Sequence, residues 1–243
     1  MVGGTLNSAK AKKTTLGEVV LKVSELSLPP QSAFGTSLKN IAFQLHKGEI
    51  LGIGGVAGNG QDELLACLSG EVKTTGDAIQ LNGVSLGNML PNVRRALGVL
   101  AAPEERLGHA AAPDMSLTEN AMLTAMTRQN LSKSGFLDWP RAKAFAEQVI
   151  SQFDVRTQGP QSAARSLSGG NLQKFVIGRE VLQDPEVLIV NQPTWGVDAA
   201  AAADIRQALL DLATKGAAVI VISQDLDELM EISTSFAALN TGR

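Results

Sequence analysis

Ile50-Leu51-Gly52-Ile53-Gly54-Gly55-Val56-Ala57-Gly58-Asn59-Gly60-Gln61-Asp62-Glu63-Leu64-Leu65-Ala66-Cys67-Leu68 passes through three kinds of sequence in succession. Ile50 to Ile53 is a short apolar run without polar alternation, as a strand buried on both faces requires. A glycine-rich turn follows, and Glu63 to Leu68 then has the apolar spacing of a helix. Strand, loop and helix in this order predict an α/β fold.

Outward from this stretch, Val19-Val20-Leu21-Lys22-Val23 and Ser37 to Leu45 alternate like strands of an antiparallel sheet, with His46-Lys47-Gly48-Glu49 as its turn. Val187-Leu188-Ile189-Val190 and Ala218-Val219-Ile220-Val221-Ile222 predict further buried strands, with a helix from Ala199 to Leu212 between them. The stretch 101–170 is richer in alanine and helix formers and predicts an inserted helical subdomain. Within it Ser116-Leu117-Thr118-Glu119 has the spacing of a capping box. The core is therefore expected over about 18–100 and 171–243, and residues 1–17 as a linker or disordered end.

A chain of 243 residues, 44% hydrophobic and 19% charged, can bury a core without disulfides. Cys67 is its only cysteine, so no internal disulfide is possible. A net charge of -3 offers no concentrated basic surface for nucleic acid, and Lys10-Ala11-Lys12-Lys13 reads as a solvated tether. No run reaches the about 18 successive apolar residues of a membrane span.

Four stretches carry chemistry. Gly55-Val56-Ala57-Gly58-Asn59-Gly60-Gln61-Asp62 has the glycine spacing of the phosphate-binding loop G-x-x-x-x-G-K-[ST], whose N–H groups cradle phosphates. Gln61 stands at the lysine position without its charge, and Asp62 puts a carboxylate at the hydroxyl position. Two unit charges at about 4 Å and an effective dielectric near 20 interact by about 4 kcal/mol, so an ionised Asp62 opposes a polyphosphate unless a cation intervenes. Asp62 and Glu63 suit the positive end of a helix and are expected to stand in for the absent anion. The bland alternative is a glycine-rich strand-to-helix turn.

Leu167-Ser168-Gly169-Gly170-Asn171-Leu172-Gln173-Lys174 places a capping serine and two glycines at a helix start, where backbone N–H groups can hold an anion. This stretch resembles the signature motif of ABC ATPases. Pro185 to Asp198 is similar to the Walker B strand and D-loop of that family, but Asn191 and Gln192 replace the aspartate that assists magnesium and the glutamate that polarises water. An amide cannot accept water's proton at neutral pH. Gln224 falls where the family carries a histidine, and Glu104, in Ala101-Ala102-Pro103-Glu104-Glu105-Arg106, where it carries the Q-loop glutamine. Singly, each of these residues suits a neutral core or surface role.

The resemblance spans Gly55 to Gln224 and implies a P-loop NTPase (RecA-like) core of ABC type, with an antiparallel β subdomain and a helical insertion. ATP and Mg2+ are the implied ligands. Gly55, Gly58, Asn59, Gly60, Gln61, Asp62 and Glu63 would face nucleotide on this domain. Ser168, Gly169, Gly170, Asn171 and Asp198 would act across a head-to-tail dimer. Gln192 and Gln224 occupy degenerate catalytic positions, and Asn191 and Glu104 are candidate metal ligands. Strings such as Pro103-Glu104-Glu105-Arg106 and Gln192-Pro193-Thr194 look like the second half of tandem simple-sugar or nucleoside importers, and Gln192-Pro193-Thr194-Trp195-Gly196-Val197-Asp198 leans towards nucleosides.

The resemblance further implies a first ATPase half on the same native chain and two membrane-spanning permease subunits, with a substrate-binding protein as an indirect partner. It places the domain at the cytoplasmic face of the membrane, on a native chain that continues past both ends. Two other classes remain open. A soluble ABC protein working on ribosomes or DNA would show basic surface and intact catalytic residues, and a dimerisation domain would have no use for a γ-phosphate clamp.

Overall fold

The computed structural model describes residues 16–33 and 35–243, so most of the tether read at 1–17 lies outside the described residues. The chain runs through β1 (Val19–Leu28), β2 (Leu38–His46), β3 (Ile50–Gly54), α1 (Gln61–Ser69), β4 (Ile79–Leu81), β5 (Val84–Ser85), α2 (Pro91–Leu97) and β6 (Val99–Ala102). It continues through α3 (Leu117–Ala125), β7 (Ser132–Lys133), β8 (Phe136–Leu137), α4 (Trp139–Gln152) and α5 (Gly169–Val181). The last elements are β9 (Val187–Asn191), α6 (Ala199–Thr214), β10 (Ala218–Ser223), α7 (Leu226–Ile232) and β11 (Ser235–Ala238).

Two main sheets result. The antiparallel one has the order β2-β1-β4-β5, and the other, entirely parallel, has the order β11-β3-β10-β9-β6. The turn around Lys47 and Gly48 leads out of the antiparallel sheet into β3 and does not join two strands of that sheet, as the sequence had implied.

Why β9 and β10 are apolar without interruption follows from what covers them. Leu188, Val190, Val219 and Val221 enter one core with α3, α4, α5 and α6, while Val187, Ile189, Ile220 and Ile222 enter a second core with α1 and the antiparallel sheet. Both faces of the parallel sheet are therefore dry, and each strand position needs a hydrophobic residue. The helical insertion begins later than its composition implies: Ala101 and Ala102 pair with Ile189 and Val190 as the end of β6. Alanine's helix propensity is a weak preference, here overridden by pairing with β9.

Within the insertion, α3 starts at a complete capping box, Ser116 Oγ accepting from Glu119 N and Glu119 Oε2 accepting from Ser116 N. At the far end of α1, fully buried Arg94 donates to the carbonyls of Cys67 and Leu68 at 2.6 and 2.9 Å, acceptors that the helix leaves open, and to Leu86 O at 2.8 Å. Cys67 lies in the same core, where burial raises its thiol to about 11. Among the described residues no helix is long and apolar enough to cross a membrane.

The parallel arrangement positions the site. Strands β3, β6, β9 and β10 all point the same way, so the segments that follow them meet at one edge of the sheet, where open α/β folds bind ligands.

Candidate functional site

The loop between β3 and α1 is closed by its own side chains. Gln61, 8% exposed, folds back over it: Oε1 accepts from Asn59 N at 2.9 Å and Nε2 donates to Val56 O at 3.0 Å. Asn59 Nδ2 donates to Val56 O as well, at 2.8 Å. Gly55 must lack a side chain here, because a Cβ would lie 2.8 Å from Gln61 Nε2 and 2.5 Å from Leu239 O. The loop is also clasped from outside. Thr241 N donates to Asn59 Oδ1 at 2.7 Å, Gly242 N to Asn59 O at 2.9 Å, and Thr36 Oγ1 to Gly58 O at 2.7 Å.

The expectation that Asp62 and Glu63 stand in for an anion is corrected by these contacts. Both lie in the first turn of α1, but Glu63 Oε1 accepts from Thr36 N at 2.8 Å and Asp62 Oδ1 from Asn191 Nδ2 at 3.0 Å. The group that takes a loop N–H is the neutral Gln61. A carboxylate oxygen would bring its charge, whereas the amide supplies acceptor and donor at once and satisfies two backbone groups.

Asn191 ends β9, and Gln192 follows with φ of 51°, a left-handed conformation that a non-glycine residue adopts at a cost of about 1 kcal/mol. Its backbone N donates to Ile222 O at 2.8 Å and its Oε1 accepts from Gln224 N at 3.5 Å, so the two positions the resemblance marks as catalytic are neighbours across β9 and β10. Beneath them lies a residue that the motifs do not single out. Glu228, 3% exposed, accepts from Thr194 Oγ1 and Ser223 Oγ, both at 2.7 Å, and ties the segment after β9 to the end of β10.

Burial pushes the Glu228 carboxyl above its ordinary range, with the two hydroxyl bonds offsetting part of the rise. A raised folded pKa adds stability below the unfolded pKa, and this stability is lost as pH rises through the folded value. Melting temperatures of Glu228→Gln and wild type, compared from about pH 5 to about pH 8, should therefore move apart in favour of the variant as pH rises. A constant difference would show that this carboxyl does not titrate abnormally.

Glu104 follows β6 and faces α1 across a cleft of about 630 Å3 lined by Asp62, Glu104, Arg106, Gly169 and Trp195 among others. Partial burial and the Asp62 carboxylate raise its pKa, against the opposing Arg106. As for the metal candidates, Asn191 is joined to Asp62 through its amide donor, which is the wrong end for a cation. Among the described residues no group of three or more His, Cys, Asp or Glu side chains is arranged to hold a metal. Around this loop a neutral amide stands where the motif has lysine, and the carboxylates of Asp62 and Glu104 face one cleft.

The signature stretch has the opposite character. Ser168 caps α5 and is exposed with Gly169. Its Oγ accepts from Asn171 N at 3.5 Å and Asn171 Nδ2 at 2.9 Å, which uses its lone pairs and leaves the O–H to donate outward. Asn171 is itself held, its Oδ1 accepting from Arg156 N at 2.8 Å. An outward hydroxyl and glycine N–H groups at a helix start form a ready anion site. Asp198 caps α6 by accepting from Ala201 N at 2.9 Å, a bond that lowers its pKa.

A family model described as ABC transporter matches residues 38–195. The nucleoside import ATP-binding protein NupA of Lactococcus lactis is 35% identical over 93% of this chain and 44% of its own length. The galactose/methyl galactoside import ATP-binding protein MglA of Escherichia coli is 34% identical over all of this chain and 47% of its own length. The chain thus spans less than half the length of these curated relatives. The fold is shared with a dimeric ATP-binding cassette in a post-hydrolysis state with ADP and Pi, at a TM-score of 0.75 and 21% identity over 91% of this chain and 95% of that one.

Proposed function

Since this chain belongs to the ABC transporter family of ATPases, we propose that it is the degenerate ATPase half of an importer for a simple sugar or nucleoside, which completes its partner's ATP site with an intact signature. The observation that carries this reading is the contrast between two anion sites. At α1 the loop N–H is taken by Gln61 and a carboxylate stands at the helix start, whereas at α5 Ser168 and Gly169 are exposed at the helix start and the Ser168 Oγ accepts only from Asn171, leaving its O–H free to donate.

In this reading ATP, held by the partner half, is the substrate. Ser168, Gly169 and Gly170 donate hydrogen bonds to its terminal phosphate, and the turn ending at Asp198 meets the partner beside it. Gln192 and Gln224 can hold a water but cannot remove its proton, so this chain's own loop does not support hydrolysis. Magnesium would enter at the partner's loop.

The partners follow from the relatives' printed roles in import. A first ATPase half on the same native chain fits the greater length of these relatives, and permease subunits require a docking face. Exposed Leu90, Val93 and Leu97 near α2 lie beside exposed Leu123 and Met126 near α3, the two helices being joined by Arg95 Nε donating to Thr124 O at 3.1 Å. This apolar face suits docking on a membrane subunit, consistent with a domain bound peripherally at the cytoplasmic side, as the relatives' roles in import imply.

Ser168→Ala in the assembled transporter tests the reading. It should lower ATP turnover about tenfold or more, the scale of one lost transition-state donor. Turnover that survives the substitution would remove the signature from the mechanism.

A further inference from the structure

Arg106 joins three segments that the sequence treats as separate motifs. It follows β6 in the run Pro103-Glu104-Glu105-Arg106 and reaches across the cleft. Its Nε donates to Gln173 Oε1 at 2.9 Å, and its Nη2 donates to Trp195 O in the turn after β9. Gln173 is 1% exposed and passes the contact on, its Nε2 donating to Pro193 O at 2.9 Å. The guanidinium runs along the signature glycine: a Cβ at Gly169 would lie 2.9 Å from Nη1, and one at Gly196 would lie 3.4 Å from Nη2. Glycine at 169 leaves room for this side chain, and Gly196 also takes a left-handed φ of 64°.

We propose that Arg106 is a positioning residue that fixes the spacing between the signature helix start and the turn leading to Asp198, the two elements this chain would present to its partner's ATP. The inference rests on the reading of the signature given above. The chemistry favours arginine. The planar fork offers donors in fixed directions, so one side chain can hold Gln173 and the Trp195 carbonyl at a set separation, whereas lysine's single ammonium cannot span both. Glu104, two residues earlier, lines the same cleft as Asp62 at the start of α1, so the segment also borders the phosphate loop's helix. A shift of that segment would therefore move both trans-acting elements together.

Two measurements test the assignment. In the isolated chain carrying Trp139→Phe, Trp195 is the remaining tryptophan, and it is 64% exposed. Acrylamide quenching of its emission should change on Arg106→Ala as the turn is released, and change less with Arg106→Lys. In the assembled transporter, Arg106→Ala should lower kcat about tenfold with KM within about twofold, because ground-state binding sits on the partner's own loop. Arg106→Lys should recover part of kcat.

Ser168→Ala, measured alongside, separates the two levels of the argument. If it lowers turnover while Arg106→Ala leaves kcat and quenching at wild-type values, Arg106 does not position these elements. Wild-type kcat and quenching in the lysine variant would likewise overturn the role of the fork, which a single ammonium cannot reproduce. If Ser168→Ala itself has no effect, the reading of the signature fails first.

Discussion

A chain carrying Gln61→Lys together with Asp62→Ser should bind ATP at least about 100-fold more tightly than wild type, measured by calorimetry with magnesium present. Three effects add. Removing Gln61's amide frees Asn59 N, which its Oε1 holds at 2.9 Å. The lysine supplies a positive charge at the phosphates, and loss of Asp62 removes a negative one, each nominally about 4 kcal/mol at an effective dielectric near 20 before desolvation reduces it. The clasp from Thr241 and Gly242 onto Asn59 remains, so the gain should stay well below the nominal sum. An unchanged affinity would mean that the clasp, and not the two side chains, keeps nucleotide out.

The second large effect is on stability. Glu180 on α5 is fully buried and accepts from Arg179 Nε at 2.9 Å, Gln183 Nε2 at 3.1 Å and Arg95 Nη2. Arg179, 2% exposed, donates onward to the carbonyls of Asn120 at 3.1 Å and Ala110 at 2.8 Å. Burial alone would push the Glu180 carboxyl up, but the two arginines outweigh it and hold it below its ordinary value. Glu180→Ala leaves both arginines without their carboxylate, and breaking a buried pair in this way costs about 3–5 kcal/mol. At about 2–4 °C per kcal/mol for a domain of this size, the melting temperature should fall by about 10 °C.

Glu147→Ala is the control, since it removes an exposed pair with Lys143 at 3.7 Å and should change stability by less than about 1 kcal/mol. Equal melting temperatures for the two variants would refute the network's role. The sign with pH also follows. A carboxyl with a lowered folded pKa contributes stability above its unfolded value and loses it on acidification, so part of the chain's acid lability should disappear in Glu180→Ala.

What could be read in the sequence was local. The Ile50 to Leu68 stretch dictated strand, loop and helix because period and glycine spacing act within a few residues, and Ser116 and Ser168 were readable as caps for the same reason. Gln61 was legible only as a missing lysine. That its amide would close the loop depends on Gly55 leaving room and on the turn at Thr241, far along the chain. Arg106, Glu228 and Arg94 were equally opaque, since each acts through partners between 5 and 89 residues away. The end of β6 was misread because Ala101 and Ala102 carry no strand signal of their own and are held by β9. Motif spacing marked the positions that depart from the family's pattern, whereas the partners those side chains take are visible only in three dimensions.

The account rests most directly on one quantity, the affinity of the wild-type chain for ATP by calorimetry with and without magnesium. A loop held by Gln61 and faced by Asp62 predicts binding no tighter than about millimolar, or about -4 kcal/mol, and unimproved by magnesium. Micromolar binding that requires magnesium would contradict it, and would mean that Gln61, Asp62 and Asn191 rearrange into a working site of their own.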